Sequence, residues 1–500
     1  MRTRTIEIPT DVGVYQSDSL PVANQICTNL IPWIEETEGE SVRGFLTNGF
    51  GIESVVNPQN GQFKEMHFFA GKLYVLIGLS LWRIASDDTA TLVGSFSGDL
   101  GGETPIIEDN GEVMAILFPG ASLWFYDTTS GLVKVTDPVV VSYEAEEGGI
   151  QSLAFVKGVF IYQTKSTMFS GSTVNTNSGK DFDALDLVEP FLNDNVKRVV
   201  NIRDELYCFG ENRTKLYGAA ATGSFPFVEI TGGAFDKGLA NRYSVVPFDN
   251  AAVFIGGGSG EGASVWRLTG AASVSKISTS AIDSRINQLD IGDSEISHAA
   301  AYKLSVDGHF LVGFTIGDFL NAETYFYDAT SSALKGRHMW HRRIGITGSD
   351  WVVRSVAEAY GRFYAGASSV GIGRISKGVY QEFGHNTETD FSGYYLTNMQ
   401  RPVTVNYVEL VLESGVGNEW LSVQTEGRFP KVELLVSIDK GRTWISLGER
   451  EMGAFQDFRA RPRWNALGQA DESWLFRFKC SDPVKRVFHK IVMEVEGGRH

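Results

Sequence analysis

The chain has 500 residues, 43% of them hydrophobic and 12% aromatic, with 55 Gly against 14 Pro, which excludes a disordered segment and fits a globular protein rich in turns. Its formal charge is −16, from 44 Lys and Arg against 60 Asp and Glu, so a surface that grips nucleic acid through clustered cations is excluded as well. Cys27, Cys208 and Cys480 are odd in number, far apart and without a CxxC pair; they indicate free thiols in a reducing compartment rather than a zinc site or a disulfide framework.

Met1 to Glu7 (MRTRTIE) lacks the apolar run of a signal peptide. Residues 1–40 are extended and punctuated by Pro21 and Pro32. Their Ile, Leu and Trp33 content fits an arm packing on a neighbouring domain or subunit, or a first strand with a long lead-in.

From about Gly44 to Leu396 one shape recurs. GKLYVLIGLSLWRI starts at Gly71, GEVMAILFPGASLWFYD at Gly111, KGVFIYQTKSTMFSGS at Lys157 and RDELYCFGENRTKLYG at Arg203. NAAVFIGGGSGEGASVWRL follows at Asn250, GHFLVGFTIGDFLNAETYFYD at Gly308 and GRFYAGASSVGIGRI at Gly361. Each is a polar turn, an apolar strand, a second turn, and a strand carrying an aromatic or aliphatic pair. The starts lie roughly 40–60 residues apart, close to the four-strand blade of a β-propeller. One such unit cannot cover its own apolar face, and repetition supplies the cover. The reading is all-β: a propeller of six or seven blades over residues 41–400, closed by pairing an early strand with a late one. The most apolar window, Phe68 to Trp82, contains Lys72 and two Gly and reads as strand–turn–strand, so no membrane span is expected. The polar, acidic segment 172–196 and the segment 225–241 read as passages between blades.

Beyond Arg401 the strands lengthen and alternate: VNYVELVLESG, KVELLVSIDKGRTWISLG, SWLFRFKCS and KRVFHKIVMEVEG. Alternation implies one buried face, so residues 401–500 are expected to form a β-sandwich. Within it Ser437, Asp439, Gly441, Thr443 and Trp444 make the SxDxGxTW form of an Asp-box. That is a hairpin device, in which the Asp and Ser side chains bond turn amides, Gly takes the turn and Trp packs beneath.

Motifs for chemistry are sparse. A GxSxG elbow, HExxH and a Walker loop are absent. Gly258 to Ala263 fits GxGxxA but lies between two strand-like runs, where no helix presents amides to a pyrophosphate, so a hairpin tip is expected. His338 and His341 fall on opposite faces of a strand; an exposed interface patch is expected there rather than a metal. Asp236, Asp283, Asp290 and Asp293 offer carboxylate pairs, but sequence spacing does not place two across a cleft. No catalytic residue, cofactor or metal ligand is assigned, and the chain is read as a non-enzyme.

Three stretches carry a likeness to a known family. They are Ser19-Leu20-Pro21 with Gln25, Cys27, Asn29, Leu30 and Pro32; Arg203-Asp204 with Cys208-Phe209-Gly210 and Lys237-Gly238; and Val408-Glu409-Leu410 with Glu413, the Ser437–Trp444 hairpin and Trp464-Asn465 with Leu467-Gly468. In these the chain resembles the tail-nozzle (tail accessory factor, packaged-DNA stabilisation protein) family of short-tailed bacteriophages. The resemblance implies a propeller subunit of a homohexameric ring below the portal and its adaptor. Such a ring extends the DNA channel, helps retain the packaged genome and binds the tail needle or tail fibres. It also implies a virion tail protein assembled in the host cytoplasm, with Leu20, Pro21, Leu30, Pro32 and Trp33 as assembly contacts.

Charge is divided unevenly along the chain. Residues 401–500 hold 15 Lys and Arg against 14 Asp and Glu, a balance of +1, and the first 400 hold 29 against 46, or −17. An acidic wall repels phosphates over about 8–10 Å at ordinary salt, which suits DNA sliding past without sequence-specific binding, and the acidic excess is expected to face the channel. Simple solubility is the plainer account of that excess. Two other functions stay open: a propeller that recognises host glycan or protein through its loops, and a polysaccharide hydrolase.

Overall fold

The computed structural model describes residues 3–497 except 18, 21–22, 38–39, 99, 147, 166, 173–186, 221–225, 290–299, 318–320, 347, 398–400 and 423–424. Seven antiparallel sheets follow one another in sequence. Blade I comprises Phe63–Phe69, Lys72–Ile77, Ser80–Ile84 and Ala90–Ser95; blade II comprises Ile106–Asp109, Met114–Phe118, Ser122–Asp127 and Gly131–Lys134. Blade III has Ser152–Val156, Val159–Lys165 and Met168–Gly171, extended by a bridge between Phe169 and Val188. Blade IV is Val196–Ile202, Glu205–Gly210, Thr214–Ala219 and Phe227–Phe235, and blade V is Val245–Phe248, Ala251–Gly256, Ser264–Leu268 and Val274–Lys276. Blade VI is Ala300–Val306, His309–Ile316, Glu323–Asp328 and Met339–Arg343. Blade VII has Val353–Ala359, Arg362–Ala367 and Gly371–Ser376, and its outer strand is Gly51–Val56, from the start of the chain, with Ile52 opposite Ile375 and Val56 opposite Ile372. The circle is thus closed by a strand some 300 residues away in sequence.

A two-residue turn opens six of the seven blades. Ala70-Gly71, Lys157-Gly158, Arg203-Asp204, Asp249-Asn250, Asp307-Gly308 and Tyr360-Gly361 all have positive φ, between 46° and 85°. That is the geometry whose twist matches a right-handed hairpin. Neighbouring blades then pack through the two faces of their middle strands. In Met114–Phe118, Met114, Ile116 and Phe118 face the core shared with blade I (Tyr74, Leu76), while Ala115 and Leu117 face that shared with blade III (Leu153, Phe160). At the closing seam the fit is tight: a Cβ on Gly366 would sit 1.9 Å from the Phe63 ring of blade I, so no larger residue is tolerated there without repacking.

The C-terminal strands make a sandwich. One sheet runs Arg463–Ala470, Val403–Leu412, Val487–Gly497, then Glu40–Thr47 and Ile31–Thr37; the other contains Cys27–Thr28, Thr389–Ser392, Ser473–Cys480, Lys431–Ser437 and Ile445–Glu451. Residues 1–40 therefore do not stand apart as an arm. Thr3–Pro9 lies antiparallel along Val487–Gly497 from Thr3 opposite Glu496 to Pro9 opposite Lys490, and residues 27–47 supply strands to both sheets. Local periodicity marks such segments as extended but is silent about their partners. Cys27–Thr28 also joins the sandwich to blade VI, through the parallel pairing of Thr28 with Arg342. All three cysteines are free and buried, and burial pushes each thiol up.

Candidate functional site at the blade axis

The first strand of each blade lies nearest the common axis, and the polar side chains there bond across blade boundaries. His67 Nε2 of blade I is 2.6 Å from Asp109 Oδ2 of blade II. Asn201 Nδ2 of blade IV donates to Phe155 O of blade III (2.8 Å), and Val199 N donates to Ser152 Oγ (3.0 Å). Arg198 Nη1 donates to Arg242 O at the entry to blade V (3.2 Å), and the Tyr302 hydroxyl of blade VI donates to Val353 O of blade VII (2.7 Å). Ser355 of blade VII returns to Glu65 of blade I. These bonds stitch the innermost strands together.

One end of the axis is closed. Tyr243, in the loop entering blade V, reaches the loop entering blade II, where its hydroxyl lies 3.0 Å from Glu103 Oε2 and 2.7 Å from Thr104 O. Arg242 Nη1 approaches Glu103 Oε2 at 3.5 Å and also meets Gln151, at the entry to blade III. Burial, reinforced by Glu103, keeps the Tyr243 phenol protonated by pushing it well up.

Inside this cap the charges are poorly hydrated. Burial raises Glu65 to about 6 against the bonds from Ser355 and the Met66 amide, and raises Glu108 to about 6 against the charges of His67 and Arg198. Burial likewise pulls Arg198 below its ordinary value. Asp109 goes the other way: burial raises it, but the bond and charge of His67 prevail and hold it below the carboxylate range. Glu65 and Glu108 can therefore exchange protons near pH 6, while the His67–Asp109 contact holds blades I and II in register. Among the described residues no group of three or more His, Cys, Asp or Glu could hold a metal ion.

A second concavity, of about 460 Å³, opens where the first hairpins of blades IV to VII meet, lined by Arg203, Phe248, Lys303, Phe310, Glu358 and Phe363 among others.

The residues singled out from sequence fall elsewhere. Asp439 Oδ1 accepts from Ser437 Oγ (2.7 Å), Arg442 N (3.0 Å) and Thr443 N (2.9 Å), its Oδ2 accepts from Thr443 Oγ1 (2.5 Å), and Ser437 Oγ accepts from Gly441 N (2.8 Å). Gly441 has φ 84°, and the Arg477 guanidinium lies 5.2 Å from the Trp444 ring. The bonds from Thr443, chiefly its hydroxyl, hold Asp439 down at about 2. This hairpin joins two sandwich strands and is remote from the axis. Leu30, Pro32 and Trp33 are buried within the chain itself, Trp33 stacking on His309 at 3.6 Å, and so present no surface to a neighbour. Leu20 is half-buried and accepts from the Tyr395 hydroxyl through its carbonyl (2.6 Å); Pro21 lies outside the described residues.

The expected exposed patch at His338–His341 is corrected. His341 is 1% exposed and stacks on Phe326, and burial pulls its imidazole down to about 3. Trp340 is buried with Nε1 donating to Ile277 O (2.9 Å); His338 is exposed. The strand is the last of blade VI, sandwiched between the propeller and the N-terminal segment, so its polar residues serve the core. Gly258–Ala263 is the turn between two strands of blade V, with Lys237 bound to Glu261 at 2.6 Å. Asp283 pairs with Lys276, Asp236 is exposed, and Asp290 and Asp293 lie outside the described residues. The axial charges went unnoticed in the sequence, although Glu65-Met66-His67, Glu108-Asp109 and Lys197-Arg198 share a place on the first strands, which aligning the repeats on their turns would have revealed.

Residues 6–379 match the family model described as Bacteriophage P22 Gp10, beta-propeller. The chain belongs to this family. The match covers the seven blades and most of the N-terminal strands, and stops before the sandwich strands beyond Val403. No curated protein matches. Among solved structures, virginiamycin B lyase from Staphylococcus aureus is 9% identical, with 65% of this chain and 98% of that one covered and a TM-score of 0.40. A chain of the mitotic checkpoint complex is 12% identical over 69% and 94%, with a TM-score of 0.38. The extracellular domain of a hybrid two-component system from B. thetaiotaomicron is 8% identical over 71% and 43%, with a TM-score of 0.36.

Proposed function

We propose that the protein is a structural, non-enzymatic subunit of the tail of a short-tailed phage, six copies of which form a nozzle ring that carries the DNA channel on below the portal and adaptor. The family match over residues 6–379 carries this reading. The cap of Arg242 and Tyr243 adds a constraint: DNA passes between copies, not along the axis of any one propeller. The −17 balance of residues 1–400 suits a wall that lets phosphates slide at ejection. The ring retains the packaged genome and receives the tail needle or fibres, as a virion component. Electron microscopy of the purified protein alone and with a portal–adaptor complex tests this. Six-fold rings that extend the portal channel are expected; failure to bind the portal–adaptor complex at any ratio refutes it.

A further inference from the structure

The axis has a second end. Tyr243, Glu103 and Gln151 cap the first from loops that precede the first strands of blades V, II and III, whereas the concavity of about 460 Å³ lies where the first strands of blades IV to VII end and turn outward. Its volume is within the range of sites for small ligands. An aromatic shelf stands in it: Phe310 is 52% exposed and held edge-on by Phe248 at 6.2 Å, and half-buried Phe363 of blade VII lines the same space. A lone exposed aromatic is ordinary; one that shares a concavity with polar groups from four blades has the make-up of a ligand site.

Those polar groups carry both signs in balance. On and beside these turns stand Arg203, Lys303 and Arg362 against Asp204, Glu205 and Glu358, and among the described residues none of the six is in an ion pair. Asp249 is paired with Arg267 (2.6 Å) and Asp307 with Lys377, so these add no charge. Asn250 and Ser305 contribute an amide and a hydroxyl to the lining. An ion would find no net countercharge here, and a wholly apolar ligand would cover donors and acceptors without pairing them. A sugar ring meets both demands: its C–H face is apolar, and each of its hydroxyls both donates and accepts. A further concavity of about 430 Å³ shares Arg203, Asp249 and Asn250 and continues past the blade V turn to exposed His338, which gives room for a chain of rings rather than one.

We propose that the open end of the propeller axis binds a neutral, linear saccharide, with one ring stacked on Phe310 and its hydroxyls bonded to Lys303 and Glu358. The proposal goes beyond the nozzle reading and does not depend on it.

Saturation-transfer NMR and calorimetry of the full chain with maltohexaose, mannohexaose and chitohexaose test it. Saturable binding of at least one of the three is expected, and its Kd should move less than about twofold between about 50 and 500 mM NaCl, because a neutral ligand has no charge to screen. Phe310→Ala, Lys303→Met and Glu358→Ala replace exposed side chains, and each should weaken binding at least about fivefold. No saturable binding of any of the three sugars overturns the proposal. So does a smaller loss in any one variant, and so does a larger salt effect, which would mark the concavity as an ion site. If Phe310→Ala loses the native melting transition, Phe310→Leu reads the same contact, since it keeps the bulk without the flat ring. None of these outcomes bears on the nozzle reading, which stands or falls on binding to the portal–adaptor complex.

Discussion

Closure of the propeller hangs on one buried carboxylate, and its removal has a calculable cost. Glu382 Oε1 accepts from Arg343 Nε (2.9 Å), Arg343 Nη2 (2.5 Å) and Trp351 Nε1 (2.9 Å), while Arg343 Nη2 also donates to Phe50 O (3.2 Å). The two charged side chains are 3% and 1% exposed. Arg343 ends blade VI, Trp351 precedes blade VII, Glu382 pairs with Ile52, and Phe50 leads into the closing strand. Glu382→Ala leaves a guanidinium buried without a counter-charge, which costs about 3–5 kcal/mol. With unfolding entropy near ~2.1 cal/mol/K per residue, a chain of this length loses about 1 °C of melting temperature per kcal/mol, so a fall of about 3–5 °C is expected. Calorimetry gives the shift, and hydrogen exchange at the amides of residues 51–56 shows whether the closing strand loosens first. Replacing both partners, Arg343→Met with Glu382→Leu, should recover most of the loss, because two apolar groups need no mutual compensation. The reasoning is refuted if Glu382→Ala melts within about 1 °C of the native chain, or if the double variant is worse than the single.

The axial carboxylates make stability pH-dependent. Glu65 and Glu108 sit at about 6, above the ordinary 4.5, so their protonated forms favour folding fully below about pH 4.5 and that contribution is lost as pH rises through 6. Glu108→Gln should therefore stabilise the protein by about 2 kcal/mol at pH 8 and do nothing at pH 4.5, read by urea unfolding at both; a gain that persists at the lower pH would falsify a titrating origin. In the Asp-box hairpin, Asp439→Ala removes acceptors from Ser437, Arg442 and Thr443, so exchange of the Arg442 and Thr443 amides should quicken at least tenfold while the blade amides stay unchanged. Equal protection in the variant would mean that the turn holds without it. Deleting residues 1–9 removes only Thr3–Pro9 and leaves the edge of Val487–Gly497 bare; the expected result is a folded chain that associates through that edge, and a monodisperse product by light scattering would count against it.

Much of the propeller was legible because each blade announces itself locally. The seven repeat starts, from Gly71 to Gly361, fall at the first hairpin turn of each of the seven blades, where every turn carries at least one Gly, Asn or Asp at positive φ beside a strand. The closing strand Gly51–Val56 was anticipated in kind but not identified, since nothing in its six residues distinguishes an outer strand of blade VII from any other edge. Trp33 and Leu30 were misplaced for the same reason: an apolar residue in an extended segment needs cover, and sequence does not say whose. His341 looked like surface chemistry because a polar ring usually means solvent, yet here Phe326 supplies the stacking that burial requires, as Glu382 supplies the counter-charge for the buried Arg343 on the same strand.

The charge distribution constrains the association of copies that the proposed ring requires. Each carries −16, and identical copies placed side by side repel unless the contact concentrates opposite charges. Screening at physiological salt leaves little of that repulsion beyond about 8 Å, so only the groups at the joint decide the balance. The last fifth of the sequence is close to neutral, with 15 Lys and Arg against 14 Asp and Glu, while the first 400 residues carry the acidic excess. The strands from residues 3–47 tie that fifth to the propeller through Thr28 and Arg342, fixing where the near-neutral sandwich stands relative to the acidic blades. With Tyr243 bridging one end of the axis, the proposed channel function requires that DNA pass between chains and not along the axis of a single propeller.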